Sequence, residues 1–488
     1  FKRKVSAEVA ENKKTQNHKR MGNQREIWIS AGAVGVLFLC LFLYLGHFVA
    51  TSEQDMINNS YNSRQQILLS RNYRGSIYSR DGEVLAETIL NDEEEESRNY
   101  PYKNLFSHIV GYSTQGRMGV EALANYYLIN TNTSLSNKVK NDTAGKKNPG
   151  DNVYTTLDVK IQQVANDQLD IYRGAIIVTE VSTGKILAMV SHPDFDPNSI
   201  GEIWEDLVDN DSSTVLVNRA TQGLYPPGST FKIITALAYI RQNQNDYYNY
   251  SYNCDGQAYI SGGTTIACFD HTVHGYQDLR KAFANSCNSA FSTIGAGLNK
   301  TSFINLCNTF LFNSNLPVGF EYSKSTMSVT KDSSVSEMQE TGIGQGKTMM
   351  SPLHNLMIAA SVANDGVMMT PYMVDNISDS EGRVVVKNQP SAIDTVMSAE
   401  EAEYLTECMR AVVTSGTGYA MKNSSYEAAG KTGSAQYDDS EKYHSWFTGF
   451  APYDNPQIAV CVILEGGYSG VSSAQYVAKA VFDTYFGY

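Results

Sequence analysis

Ser229 and Lys232 stand three residues apart in YPPGSTFKIITALAYI, behind a Pro-Pro-Gly break and at the start of a helix-compatible run. The break puts Ser229 at a helix amino terminus, and Lys232 on the same face one turn away. A serine hydroxyl is a poor nucleophile until a neighbour removes its proton. A lysine can do this once burial or nearby positive charge lowers its pKa enough for a neutral fraction to exist. The helix dipole also favours negative charge developing at Ser229. Ser-x-x-Lys alone is weak, since a chain of this length holds ~2 by chance, and Ser328–Lys331 is a second copy. Ser-x-Asn occurs at Ser60–Asn62, Ser251–Asn253 and Ser286–Asn288. Lys-Thr-Gly, expected on the order of 0.1 times, occurs once, at Lys431–Gly433. One at a time, Ser229 reads as a helix cap, Asn288 as a cap or turn residue and Lys431 as a solvated charge.

The elements that must position these residues lie in a chain of 488 residues with 42% hydrophobic content and a net charge of −13, enough for about two to four domains. The first 26 residues carry a net +5, leaving −18 on the remainder, and no basic stripe follows. That balance argues against nucleic acid. Residues 27–50 hold no charged side chain over 24 positions, enough to cross a ~30 Å hydrocarbon layer. The run exceeds the apolar region of a cleaved signal peptide, and His-Phe-Val-Ala is a poor cleavage site. It reads as an uncleaved single span, with the cationic tail 1–26 inside and the rest outside.

Residues 51–73 read as a helix or stalk. RGSIYSRDGEVLAE reads as a hairpin around Arg-Asp-Gly, and Asp92–Glu96 as a solvated loop. The polar linker NDTAGKKNPGDN places a boundary near 150, giving a membrane-proximal pedestal over 51–150 and a larger domain over 151–488. In the latter, GAIIVTEVSTGKILAMVS predicts an antiparallel hairpin, HSWFTGFAP and PQIAVCVILEGG two more strands, and AQYVAKAVFDTYFGY a closing helix. Strands from both ends with helices between them predict a mixed α/β domain whose sheet joins the termini.

Of the seven cysteines, Cys40 lies in the span, and Cys254 and Cys268 look like a local pair, followed by His271 and His274. Three readings stay open: a loop disulfide, a zinc site using both thiolates with one or both histidines, or free thiols. The spacing matches no standard zinc pattern.

The order YPPGSTFK, NSCNSAF, AGKTGSAQ resembles the penicillin-binding proteins, whose three motifs are Ser-x-x-Lys, Ser-x-Asn and Lys-Thr-Gly. TTLD at 155–158, GIGQGKTMMSPL at 342–353 and HSWFTGFAP at 444–452 extend the likeness over 151–488. RGSIYSRDGEVLA and GRMGVE at 116–121 resemble motifs of the monofunctional class B, of a short-pedestal type, with Ser79 where an Asp is usual. The resemblance implies a penicillin-binding/serine β-lactamase-like fold, an antiparallel sheet flanked by helices, after one transmembrane helix and a small α+β pedestal resembling a dimerisation module.

The resemblance further implies a DD-transpeptidase that cross-links peptidoglycan stem peptides and is acylated by β-lactams. Ser229 would attack the D-Ala-D-Ala carbonyl, with Lys232 as base. Ser286 would relay a proton to the leaving amine, and Asn288 would hold the acyl chain's amide. Lys431 would help keep Lys232 neutral and attract the substrate carboxylate, which Thr432 and Ser434 would bind. Gly433 would let the strand lie close to the ligand, and the backbone N–H groups of Ser229 and Ser434 would form the oxyanion hole. No cofactor is implied, and any metal would be structural. The resemblance implies a partner, a multi-pass membrane glycosyltransferase of the shape, elongation, division and sporulation family, meeting the span and pedestal. The competing readings are a D,D-carboxypeptidase or β-lactamase, in which water takes the acyl group, and a β-lactam-binding scaffold or sensor. The intact motif set argues against a retired site.

Overall fold

The computed structural model describes residues 2–58, 64–92, 95–210, 212–436, 443–466 and 473–488. The chain divides into two compact units, Phe1–Gln66 and Ile67–Tyr488. In the first, one helix runs over Lys2–Asn58. Its stretch Arg25–Phe48, 24 residues of mean hydropathy 2.2, is long and apolar enough to cross a membrane. The stalk expected over 51–73 and the loop expected at Asp92–Glu96 fall partly outside the described residues.

In the second unit, five antiparallel strands form the sheet that bears the site, in the order Ala429–Gln436, Tyr443–Ala451, Ile458–Leu464, Gly174–Glu180, Ile186–His192. The two chain ends do meet in one sheet, as the strand pattern predicts, and the helix Ser473–Phe486 closes the chain. Alternation in a strand sends successive side chains to opposite faces. Ile176, Val178, Val460 and Val462 therefore pack with Ile161 and Leu169 of one helix and with Val481 and Phe482 of the last. Ala175, Ile177, Cys461 and Ile463 point the other way, into the core shared with Leu353 and Leu356 of Pro352–Ala363. Both faces are covered, which is why AIIV and IAVCVIL read as unbroken apolar runs.

A six-stranded sheet joins the expected hairpin, Ile77–Tyr78 with Val84–Leu90, to Glu96–Asn99, Asn152–Thr155, Val374–Ser378 and Val384–Lys387. Ser79 is fully buried in that hairpin, and its hydroxyl accepts the backbone N–H groups of Asp81 and Glu83 at 3.2 and 3.1 Å. The serine thus fills the turn-closing role open to an Asp side chain. The two pedestal motifs meet through Glu121, fully buried, which accepts Arg74 Nε at 2.6 Å and Arg98 Nε at 2.7 Å. Asn125 takes a further Arg74 donor at 2.7 Å, and Tyr100 gives its hydroxyl to Glu121 at 3.2 Å. The flanking cations hold Glu121 below the usual carboxylate range in spite of burial, which alone would raise it.

Candidate active site

The helix that begins at Pro-Pro-Gly is not α-helical from its first residue. Gly228–Phe231 forms a 3₁₀ turn and the α-helix runs over Lys232–Gln242. In a 3₁₀ turn residues i and i+3 eclipse, so Ser229 and Lys232 are aligned more closely than in an α-helix. Two glycines seat this turn against the edge strand Ala429–Gln436. Gly228 sits at φ +53°, where a Cβ would come within 2.8 Å of the Ser434 carbonyl oxygen. A Cβ on Gly433 would press on Trp446 Cβ at 3.1 Å and on Thr230 Cγ2 at 3.2 Å. The approach that Gly433 permits is therefore one of strand to nucleophile turn. Trp446, fully buried, donates Nε1–H to the Pro226 carbonyl at 3.0 Å, and Tyr225 donates its hydroxyl to Glu465 at 2.7 Å. Both aromatic side chains fix the loop before Ser229.

Lys232 is fully buried, and its Nζ donates to the Ser286 carbonyl at 2.7 Å, to Asn288 Oδ1 at 2.8 Å and to Ser286 Oγ at 3.2 Å. Lys431, also fully buried, donates to the same Ser286 Oγ at 2.9 Å and to the Thr432 carbonyl at 2.9 Å. One hydroxyl therefore bridges two amines. Phe291 lies 5.5 Å from Lys232 Nζ and Phe283 5.7 Å from Lys431 Nζ, close enough for the ring faces to attract each cation. Burial lowers the Lys232 pKa to about 7, against an opposing pull from Cys287 and Cys268. Burial, and then Lys232 itself, holds Lys431 well below the usual ammonium range. Two desolvated amines on one hydroxyl resist carrying two charges at once.

Ser286 takes up φ +53°, a left-handed conformation uncommon for serine. It lies between the helix Leu279–Ala284 and the helix that starts at Asn288. This turn aims its hydroxyl and its carbonyl at the lysines. Above them opens a cleft of about 1010 Å³ lined by Ser229, Ser286, Asn288, Thr432, Gly433 and Ser434. The strand Ala429–Gln436 is at the edge of its sheet, so half of its backbone N–H and C=O groups have no strand partner.

All eight residues expected in catalysis or substrate binding thus meet at one place. The decoys do not: Ser328, Lys331, Ser251 and Asn253 are exposed, away from the cleft, and Ser60–Asn62 lie outside the described residues. Thr417 joins the site without a signal in the sequence analysis, its Oγ1 at 2.5 Å from Thr432 Oγ1. Cys254 and Cys268 are free thiols with sulfurs 3.7 Å apart. His274 and Cys287 join them in one cluster; His271 lies outside it, although it lines the cleft as Cys268 and His274 also do.

Residues 174–483 match the penicillin binding protein transpeptidase domain. The chain belongs to the penicillin-binding protein transpeptidase family. Residues 74–153 of this penicillin-binding protein match the penicillin binding protein A dimerisation domain, which makes it a class B member. It is 30% identical to the peptidoglycan D,D-transpeptidase PbpA of Mycolicibacterium smegmatis, over 84% of this chain and 87% of that protein. Among solved structures, the imipenem acyl-enzyme complex of M. tuberculosis penicillin-binding protein A superposes with a TM-score of 0.78 at 27% identity, covering 85% of this chain and 99% of that one. The D,D-transpeptidase domain of an Eggerthella lenta peptidoglycan glycosyltransferase gives 0.77 at 30% identity, over 86% and 99%.

Proposed function

We propose that this penicillin-binding protein is a serine D,D-transpeptidase that cross-links peptidoglycan stem peptides and is trapped by β-lactams. The observation that carries the reading is the bridge in which Ser286 Oγ accepts from both Lys232 and Lys431 beside Ser229. In the proposed mechanism neutral Lys232 takes the Ser229 proton as Oγ attacks the carbonyl carbon of the D-Ala-D-Ala bond. The oxyanion is met by the backbone N–H groups of Ser229 and Ser434. The C–N bond breaks as the proton passes from Lys232 through Ser286 to the leaving amine, and D-alanine departs from a Ser229 ester. An acceptor amine then attacks that ester, the C–O bond breaks, and a proton given up by that amine restores the Ser229 hydroxyl. The substrate carboxylate pairs with Lys431, Thr432 and Ser434, and Asn288 holds the acyl chain's amide. That pairing favours keeping the shared charge on Lys431, which leaves Lys232 free to act as base.

A β-lactam undergoes the same attack, but its leaving group stays tethered, so the ester persists. The test is intact-mass measurement of the full chain in detergent with penicillin. A stable adduct on the parent and none on Ser229→Ala supports the reading; rapid loss of adduct with hydrolysed drug, or no adduct on the parent, refutes it.

The reading includes a cytoplasmic-membrane anchor with the amino terminus inside and the catalytic domain outside, which protease accessibility in intact cells tests. Cleavage of residues 67–488 by external protease is the expected result. It also includes a multi-pass glycosyltransferase partner that meets residues 27–150. Copurification with that partner should be lost when 27–150 is replaced by an unrelated anchor, and its persistence would sink the assignment.

A further inference from the structure

The middle residue of the Ser-x-Asn motif, Cys287, does not face the cleft. It is fully buried, and its sulfur lies 3.7 Å from that of Cys268, which lies 3.7 Å from that of Cys254; His274 Nδ1 is 3.5 Å from Cys254 Sγ. No two of these four atoms are more than 4.8 Å apart. Tetrahedral zinc with bonds of about 2.3 Å to sulfur and 2.0–2.1 Å to nitrogen spaces its ligand atoms at ~3.8 Å for S···S and ~3.5 Å for S···N. The three separations match both values.

The surroundings fit a metal better than three buried thiols. The backbone N–H of Gly256 points at Cys254 Sγ at 3.4 Å and that of Ala290 at Cys287 Sγ at 3.4 Å. Such donors steady thiolate charge and orient the ligands. Ser289 Oγ lies 3.1 Å from Cys268 Sγ. Cys254, Cys268 and His274 sit at the ends of the strands Tyr252–Cys254, Ile266–Ala267 and Gly275–Gln277, which are two or three residues long, and Cys287 caps the helix that starts at Asn288. Around them Tyr259, Val273 and Tyr276 are exposed, so this subdomain has little core of its own. Small units of that kind hold together through a metal or a disulfide, and Cys254 and Cys268 are not bonded.

We propose that Cys254, Cys268, His274 and Cys287 bind one zinc-class divalent ion, and that this ion locks the Ser286–Asn288 turn in its catalytic shape. Three thiolates and one neutral imidazole fill four positions, so the site is closed and structural; binding releases up to three thiol protons and moves no electrons. The ion would fix Cys287 between the residue that bridges the two lysines and the residue that takes Lys232. It would do for the left-handed Ser286 what a core does elsewhere. The acylation readout rests on the transpeptidase reading, whereas metal content does not.

The test uses the full chain purified in detergent without chelator. Elemental analysis should find one zinc per chain, and cobalt exchanged into the site should show thiolate-to-cobalt charge transfer and intense visible bands. Cys254→Ser and His274→Ala should lose the ion, and His271→Ala should keep it. For variants that fail to fold, the parent stripped by chelator serves instead: penicillin acylation should fall at least tenfold and return on adding zinc. Zinc-free chains, another stoichiometric metal, or a Cys254–Cys268 disulfide seen as the mass loss of two hydrogens would overturn the site. Bound zinc whose removal leaves acylation unchanged would overturn the lock. Should the zinc-loaded parent form no adduct at all, the transpeptidase reading fails and the metal site stands.

Discussion

Removing the Ser286 hydroxyl deletes one acceptor from each of two buried amines. Lys431 keeps the Thr432 carbonyl, and Lys232 keeps the Ser286 carbonyl and Asn288 Oδ1, so the fold should tolerate Ser286→Ala. Catalysis should not. A hydrogen bond to a charged group contributes about 1.5–3 kcal/mol, and the 2.9 Å contact from Lys431 is the stronger of the pair. Two such bonds amount to about 3–6 kcal/mol in the transition state, and tenfold in rate per 1.36 kcal/mol gives a slowing of roughly 10²–10⁴. Loss of one acid–base relay gives a similar range independently. Because the Lys232 contact is long at 3.2 Å, the lower half of that range is expected. The assay is the second-order rate of penicillin acylation followed by intact mass. Ser286→Gly serves as the control, since it removes the same hydroxyl and relieves the left-handed backbone by ~1 kcal/mol. It should melt higher than the alanine variant and acylate as slowly. A rate for Ser286→Ala within threefold of the parent, or recovery in the glycine variant, would show that the hydroxyl carries no proton.

Two further outcomes are expected. Acylation needs the neutral form of Lys232, whose pKa is lowered to about 7, so its rate should rise with pH through about 7 and level off above it. Rates measured between about pH 5 and 9 should show this limb, and a flat profile would contradict the role of Lys232 as base. In the pedestal, Glu121→Gln leaves Arg74 and Arg98 buried without a counter-charge, a loss of about 3–5 kcal/mol. Amide exchange over residues 74–125 should speed up accordingly at neutral pH. Because Glu121 titrates below the ordinary carboxylate range, its contribution is complete above that range and is lost as pH falls through the lowered value. A difference below about 1 kcal/mol at neutral pH would refute the charge argument.

The reach of sequence reasoning differs from residue to residue. Ser229 and Lys232 were legible because their relation is local, a three-residue spacing behind a Pro-Pro-Gly break. Ser286 and Lys431 were legible by the order of their motifs, although the contact between them spans 145 positions. Four of the five strands of the sheet were legible as apolar runs bounded by turn residues, whereas AGKTGSAQ, small and polar, was placed in a strand only through the resemblance. The membership of Cys287 in the thiol cluster was not, because it occupies a motif position that any residue can fill. Nor was the choice between His271 and His274: they are three residues apart, the backbone turns at Asp270 and His271, with φ +51° and +52°, and only His274 reaches the thiols. Thr417 was missed because nothing local distinguishes a threonine after a helix end from one that meets Thr432 across the cleft. Gly433 was identified for a real close approach, but the surface it approaches is set by Trp446 and Thr230, which sequence cannot place.

The order of strands in the main sheet also dictates a sequence of events during biosynthesis. The hairpin Gly174–His192 emerges early, yet its neighbour Ile458–Leu464 lies more than 260 residues further along the chain. At roughly 5–20 residues per second, the ribosome delivers that neighbour some 15–50 s later. Until then the hairpin presents an unpaired apolar edge, the kind of surface that pairs with other chains. Ala429–Gln436, which carries Lys431, docks through Tyr443–Ala451 and so cannot be seated before the carboxyl-terminal strands arrive. A nascent chain of this protein is therefore inert towards substrate and drug until nearly all of it exists.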